Sequence, residues 1–116
     1  MIAQGQVYWV DLDEPQGSEP GYRRPVVVVQ SDRFNSTSIR TVVVCILTTS
    51  LRRASTPGHV MLQPEESGLP HPSVANPTQL ATINKADLWE FVGSLSSGAL
   101  RRVLAGIDVV LKPMEA

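Results

Sequence analysis

Hydrophobic positions change period along this chain, from short β-prone runs before Ser96 to a three- and four-residue repeat after it. Gln6-Val7-Tyr8-Trp9-Val10 is rich in β-branched and aromatic residues, and it runs into Asp11-Leu12-Asp13-Glu14-Pro15 and a Gly/Ser/Pro stretch to Gly21. That reads as a strand followed by a long loop. Pro25-Val26-Val27-Val28-Val29-Gln30 and Thr41 to Leu47 are continuous apolar runs without alternation, the pattern of central strands buried on both faces. Between them, Ser31 to Ser36 carries capping and turn residues and predicts a loop with one helical turn.

His59-Val60-Met61-Leu62 follows Pro57-Gly58 as a short strand, and Pro64 to Pro72, with three prolines and Gly68, reads as a loop. Val74 to Leu80 and Ala81-Thr82-Ile83 give two β-prone pieces, and Pro77 within them predicts an edge or a bulge. A helical turn over Asn84 to Leu88 and a strand Phe91-Val92-Gly93 come next. From Ser96 onward Leu100, Val103, Leu104, Ile107, Val110 and Leu111 recur at helical spacing, with Ser96 or Ser97 as N-cap and Pro113 beyond the end. Many short strands and one terminal amphipathic helix predict an α+β, β-dominated fold, a small SH3-like β-barrel with a C-terminal α-helix.

With 116 residues, 42% of them apolar, the chain fits one domain spanning 1–116. No run of about 18 apolar residues occurs, and Met1 to Gly5 lacks the regions of a signal peptide, so a cytoplasmic, membrane-free protein is expected. The one cysteine, Cys45, lies inside an apolar run and reads as inert core. A net charge of −1 argues against coating nucleic acid by bulk charge. Locally the picture differs: Arg23, Arg24, Arg33, Arg40, Arg52 and Arg53 face only Asp32 between positions 23 and 53. This excess is either a solvated arginine-rich face or a phosphate-facing groove.

His59 and His71 have no Cys or carboxylate cluster that completes a zinc pattern, and Asp11 to Glu14 lacks the Gly and distal Glu of a calcium loop. No dinucleotide, phosphate-loop or Gly-x-Ser-x-Gly signature is present, so no metal and no cofactor are expected. Metal-free RNA cleavage needs none, because the substrate brings its own 2′-hydroxyl nucleophile. The protein must align it and stabilise the phosphate charge, a task suited to an arginine's two-pronged fork and a threonine hydroxyl.

The segment Gly5 to Leu12, followed by Pro15, Gly17-Ser18-Glu19 and Arg24-Pro25-Val26-Val27-Val28-Val29-Gln30-Ser31-Asp32, resembles the opening signature of the MazF/PemK toxin family. Ile46-Leu47-Thr48-Thr49-Ser50 with Pro57-Gly58-His59-Val60 is similar to that family's second block. Ser73-Val74, Gln79, Thr82-Ile83, Leu88, Val92-Gly93 and Leu95-Ser96 resemble its third. The resemblance spans almost the whole chain and departs at Pro77, where relatives keep an unbroken apolar strand.

It implies a toxin of a type II toxin–antitoxin system, an endoribonuclease that cuts single-stranded RNA and leaves a 2′,3′-cyclic phosphate and a 5′-hydroxyl. Arg24 and Thr48 match the catalytic arginine and threonine; Glu19 or the phosphate itself accepts the 2′ proton. Ser18 and Glu19 lie on the loop over RNA, and Gln79 with Pro57 and Gly58 matches the RNA groove, joined by Thr49, Ser50, Arg53 and Thr78. The implied partners are a second copy of the chain and an acidic MazE-like antitoxin. A non-catalytic CcdB-like gyrase poison shares the barrel, but such relatives end in an aromatic-bearing tail, and this chain ends Lys112-Pro113-Met114-Glu115-Ala116. A peptide-binding barrel would carry an aromatic groove, whereas the six aromatics here are spaced as core or dimer contacts.

Overall fold

The computed structural model describes residues 1–12 and 22–114. One antiparallel sheet holds β1 (Gln6–Leu12), β2 (Tyr22–Val28), β3 (Thr41–Thr48), β4 (Val60–Leu62), β5 (Ser73–Asn84) and β6 (Glu90–Ser94) in the order β4-β5-β3-β2-β1-β6. The sheet curls into a half-barrel, and helix α3 (Ser97–Leu111) closes the chain. Two one-turn helices, α1 (Asp32–Asn35) and α2 (Pro64–Ser67), and 3-10 turns at Leu51–Ser55 and Lys85–Asp87 fill the connections.

The apolar runs are continuous because both faces of β2 and β3 are covered. On one face Val7, Val27, Cys45, Leu47, Leu62 and Ala75 meet Ala99 and Val103 of α3. On the other, Tyr8, Val10, Val26, Val28, Val42, Val44 and Ile46 gather around Leu88. Adjacent residues of one strand thus serve opposite cores, which is the period-2 geometry of a strand used twice.

Several expectations are corrected. β2 starts at Tyr22, three residues before Pro25, so that proline sits inside the strand, opposite Trp9 of β1. The proline-rich 64–72 stretch contains α2, which Pro64 opens at its first turn and a capping box closes: the Gln63 side chain accepts from the Glu66 N–H and Glu66 Oε1 accepts from the Gln63 N–H. The two pieces around Pro77 form one strand, β5, which is internal and bulged. Its partners shift from Cys45↔Leu80 to Leu47↔Ala75, so residues 76–79 face a single β3 residue. Of the six aromatics only Tyr8 is buried, and Tyr22, Phe34, Trp89 and Phe91 are exposed.

Ser96 caps α3 through Oγ, which accepts from Ala99 N–H at 3.2 Å. The helix buries Ala99, Val103 and Gly106, while Val109, Val110 and Leu111 at its C-terminal end are exposed. Gly106 lets the helix touch the turn at Gly58, whose φ of +79° needs glycine. A Cβ on Gly106 would stand 2.0 Å from the Gly58 carbonyl oxygen, whereas a Cβ on Gly98 would meet nothing within 4 Å.

Gly106→Ala should therefore lower stability by about 1–3 kcal/mol, the cost of overpacking a tight contact. Gly98→Ala should be neutral or stabilising by up to about 1 kcal/mol through helix propensity. Thermal melts of the two variants check this, and equal melting shifts would contradict the helix–turn contact.

Candidate functional site

The site is built by register. β2 and β3 pair as Val26↔Ile46, Val27↔Cys45 and Val28↔Val44. The β2–β3 pairing ends at Val26↔Ile46, and Arg24 and Thr48 lie two residues beyond that pair on their own strands, where alternation puts both on the face of Val26 and Ile46. On the outer sides, Val10 of β1 lies opposite Arg24, and Val74 of β5 lies opposite Thr48. Arg24 and Thr48 are both half-buried. Thr48 Oγ1 also accepts from Ser50 N–H at 3.2 Å, which fixes the start of the following turn.

The β5 bulge supplies the adjoining wall. Alternation from Ala81 and Ile83, which pack on the Leu88 core, puts Gln79 on the Arg24 face. Asn76, only 3% exposed, holds the bulge together. Its Oδ1 accepts from Thr78 N–H at 3.0 Å and from Thr78 Oγ1 at 2.6 Å, and its Nδ2 donates to Gln79 Oε1 at 3.1 Å. Pro77 is buried beside Gly58. Nothing in a single sequence singles out Asn76, although an Asn next to a strand proline and two residues before a Thr is a side-chain-to-backbone turn pattern.

Other predicted residues fall at different places. Thr49, next to Thr48 but exposed, turns the other way and lines a small cleft of about 40 Å³ with Trp9, Pro25, Leu69, Pro70, His71 and Ser73. Ser50 caps the Leu51–Ser55 turn, and Arg53 is exposed on it. That turn packs against β4 and β5. Pro57 is exposed, while Gly58 rests on α3. Ser18 and Glu19 lie outside the described residues. So the fold brings Arg24, Thr48 and Gln79 to one face and spreads Thr49, Arg53 and Gly58 around it.

The arginine-rich stretch is also uneven. Arg23 Nη1 donates to Glu90 Oε1 at 2.9 Å, Arg23 Nη2 pairs with Glu90 Oε2, and its Cζ lies 4.9 Å above the Trp9 ring. Hydrogen bonding to Arg23 lowers the Glu90 carboxyl from its ordinary value, and hydrogen bonding to Glu90 raises Arg23. Arg33, Arg40, Arg52 and Arg53 are exposed.

The family described as PemK-like, MazF-like toxin of type II toxin–antitoxin systems matches residues 3–111. Endoribonuclease MazF6 of Mycobacterium tuberculosis is 39% identical over 111 residues, covering 96% of this chain and 97% of that protein. Endoribonuclease MazF of Staphylococcus epidermidis is 37% identical, covering 96% of this chain and 92% of that one. Among solved structures, a mycobacterial endoribonuclease in complex with its cognate antitoxin superposes with a TM-score of 0.80 at 22% identity, covering 99% of this chain and 100% of that one.

Among the described residues no three His, Cys, Asp or Glu side chains gather where they could hold a metal ion. Cys45 is fully buried with its Sγ donating to the Asn76 carbonyl at 3.3 Å, and burial pushes its thiol up to about 12. It is therefore protonated at neutral pH and offers no nucleophile. The native protein should leave Cys45 unlabelled by iodoacetamide at pH 7.5, and unfolding in denaturant should release one reactive thiol per chain. Rapid labelling of the folded protein, read by mass spectrometry, would contradict this burial.

Proposed function

Because the chain belongs to the PemK-like, MazF-like toxin family and is an endoribonuclease of the MazF type, we propose that it cuts single-stranded RNA by in-line attack of the substrate's own 2′-hydroxyl, with Arg24 and Thr48 on the scissile phosphate. The observation that supports this reading is the β2–β3 register, Val26↔Ile46 at its end, beyond which Arg24 and Thr48 follow on the same face of their two strands.

The chemistry follows from those two groups. The 2′-oxygen bonds to phosphorus, the bond from phosphorus to the 5′-oxygen breaks, and the products are a 2′,3′-cyclic phosphate and a 5′-hydroxyl. Negative charge accumulates on the non-bridging oxygens as five bonds form around phosphorus. A guanidinium meets that charge with two parallel N–H donors, and a threonine hydroxyl adds a third donor. An arginine is poorly suited to take a proton. The 2′ proton passes to Glu19 or to a non-bridging phosphate oxygen, and the same proton is handed on to the departing 5′-oxygen. Ser18, Thr49, Ser50, Arg53, Pro57, Gly58, Thr78 and Gln79 hold the flanking nucleotides.

The same reading includes two protein partners. Exposed Val109, Val110 and Leu111 at the end of α3 form an apolar strip that a second copy covers. An acidic antitoxin segment binds over Arg33, Arg40, Arg52 and Arg53, whose charge opposes its own. No helix among the described residues is long and apolar enough to cross a membrane, in keeping with a cytoplasmic toxin.

Arg24→Ala should lower the cleavage rate by a factor on the order of a hundred or more, while RNA binding weakens far less. Arg24→Lys should restore little, since a point charge does not reproduce the fork, and Thr48→Ala should cost less than Arg24→Ala. A single 2′-deoxy nucleotide 5′ of the cut should block that bond alone, in buffer containing excess chelator. Cleavage at the deoxy position, or a 5′-phosphate product, would make water the nucleophile and overturn the mechanism; a gyrase poison would leave the RNA whole.

Sedimentation at micromolar concentration should show a dimer of the 12.6 kDa chain, and charge reversal at Leu111 should shift it to monomer. A monomer for the unaltered protein would remove the second copy from this reading.

A further inference from the structure

We infer that Gln79 reads one RNA base through its amide N–H donors, and that the buried Asn76 is the positioning residue that makes it a donor. This deepens the endoribonuclease reading and rests on it.

An amide's oxygen and nitrogen ends are told apart only by what they bond to. Here one partner is unambiguous, because the backbone N–H of Thr78 can only donate, so the Asn76 atom 3.0 Å from it must be the oxygen. The Thr78 hydroxyl donates to the same Oδ1, which fills both of its lone pairs. The other end of Asn76 is then NH2, and the Gln79 atom 3.1 Å from it must be the carbonyl oxygen Oε1. The Gln79 Nε2 therefore points away from Asn76.

That nitrogen makes no hydrogen bond among the described residues, and none of their buried side-chain polar atoms lacks a partner, so Nε2 faces solvent with both protons available. It does so on the face that carries Arg24 and Thr48. The surrounding bulge leaves little freedom, since Asn76 is 3% exposed, Pro77 has no N–H to offer a competing ladder bond, and both ends of the Asn76 side chain are engaged. A glutamine free to rotate offers either end to a base and accepts any of the four. Held this way, Gln79 meets guanine O6 or uracil O4 well and the amino group that adenine and cytosine carry at the same position badly. The base beside it is a keto base, guanine or uracil, over adenine or cytosine.

The test is cleavage of a random single-stranded RNA pool in chelator, with the sequences around each cut read out. The unaltered protein should favour guanine or uracil over adenine or cytosine at one flanking position by about three- to tenfold, the scale of one net hydrogen bond. Asn76→Asp keeps the acceptor for Thr78 but has no N–H for Gln79, so the Gln79 amide turns over and presents Oε1. The preference at that position should then reverse toward adenine or cytosine, with other positions and the maximal rate on the best substrate kept within about twofold. Gln79→Glu, which keeps the Asn76 contact and puts an acceptor outward, should reverse it in the same direction and guards against poor folding of Asn76→Asp. A merely structural Asn76 would lower all cleavage together and reverse nothing. Unchanged or uniformly weakened preferences in both variants would overturn this inference and leave the endoribonuclease reading intact, whereas no cleavage by the unaltered protein would overturn both.

Discussion

Every functional placement in this molecule depends on the double burial of β2 and β3. Val26 and Val28 face one core while Val27 faces the other, and Val44 and Cys45 divide in the same way. A slip of one residue would exchange the two sets across the sheet, and any longer slip would carry Arg24 or Thr48 into apolar surroundings. The register is thus enforced by the whole core rather than by the polar residues at its end. Arg24 and Thr48 need no hydrogen bond to each other to stay adjacent. The strands hold each of them, and in the proposed mechanism donors held in this way need little rearrangement when charge develops on a substrate.

The β5 bulge is the one place where that regularity is broken, and it is broken beside the same row. Three residues more on β5 than on β3 must be absorbed between Cys45↔Leu80 and Leu47↔Ala75. Backbone groups that lose ladder partners there would be costly if buried. Asn76 answers that cost twice: its carbonyl takes the Cys45 thiol, and its side chain takes Thr78 N–H. The same contacts that make the irregularity tolerable aim the side chain of Gln79. Pro77 fits because a bulge is where a strand can spare an N–H.

Sequence pattern was a good guide wherever burial alone decides structure. The runs at Pro25–Gln30 and Thr41–Leu47, the helix from Ser96 and the inert Cys45 all follow from apolar periodicity, and all appear in the fold. It was a poor guide where distant residues decide. Glu90 is 67 positions from the Arg23 it neutralises, and no local reading pairs them. α2 was hidden by its prolines, one of which stands where a helix start accepts it, with the Gln63–Glu66 capping box as the overlooked signal. Val110 and Leu111 continue the helix repeat yet stay exposed, because periodicity reports an apolar face and not what covers it. Among the proposed site residues, Arg24 and Thr48 come from the family pattern; Asn76 does not, because its role exists only once the bulge is formed.

Charge takes on a different meaning once the pairs are known. A net charge of −1 with a cationic stretch between residues 23 and 53 suggested a groove made by bulk arginine. Yet Arg23, adjacent to Arg24 in sequence, points to the opposite face, stacks on Trp9 and is matched by Glu90. Exposed ion pairs of this kind contribute little to stability, so the consequence lies in the local field. With Glu90 opposing Arg23 and Arg33, Arg40, Arg52 and Arg53 spread over exposed turns, long-range attraction raises the encounter rate with a polyanion and falls with salt. It does not choose the bond that breaks. In the proposed mechanism that choice falls to Arg24 and Thr48 at short range, where salt screens far less. In the proposed mechanism, substrate capture thus draws on the exposed arginines outside β2 and the chemistry on Arg24, which strand alternation sets apart from the paired Arg23.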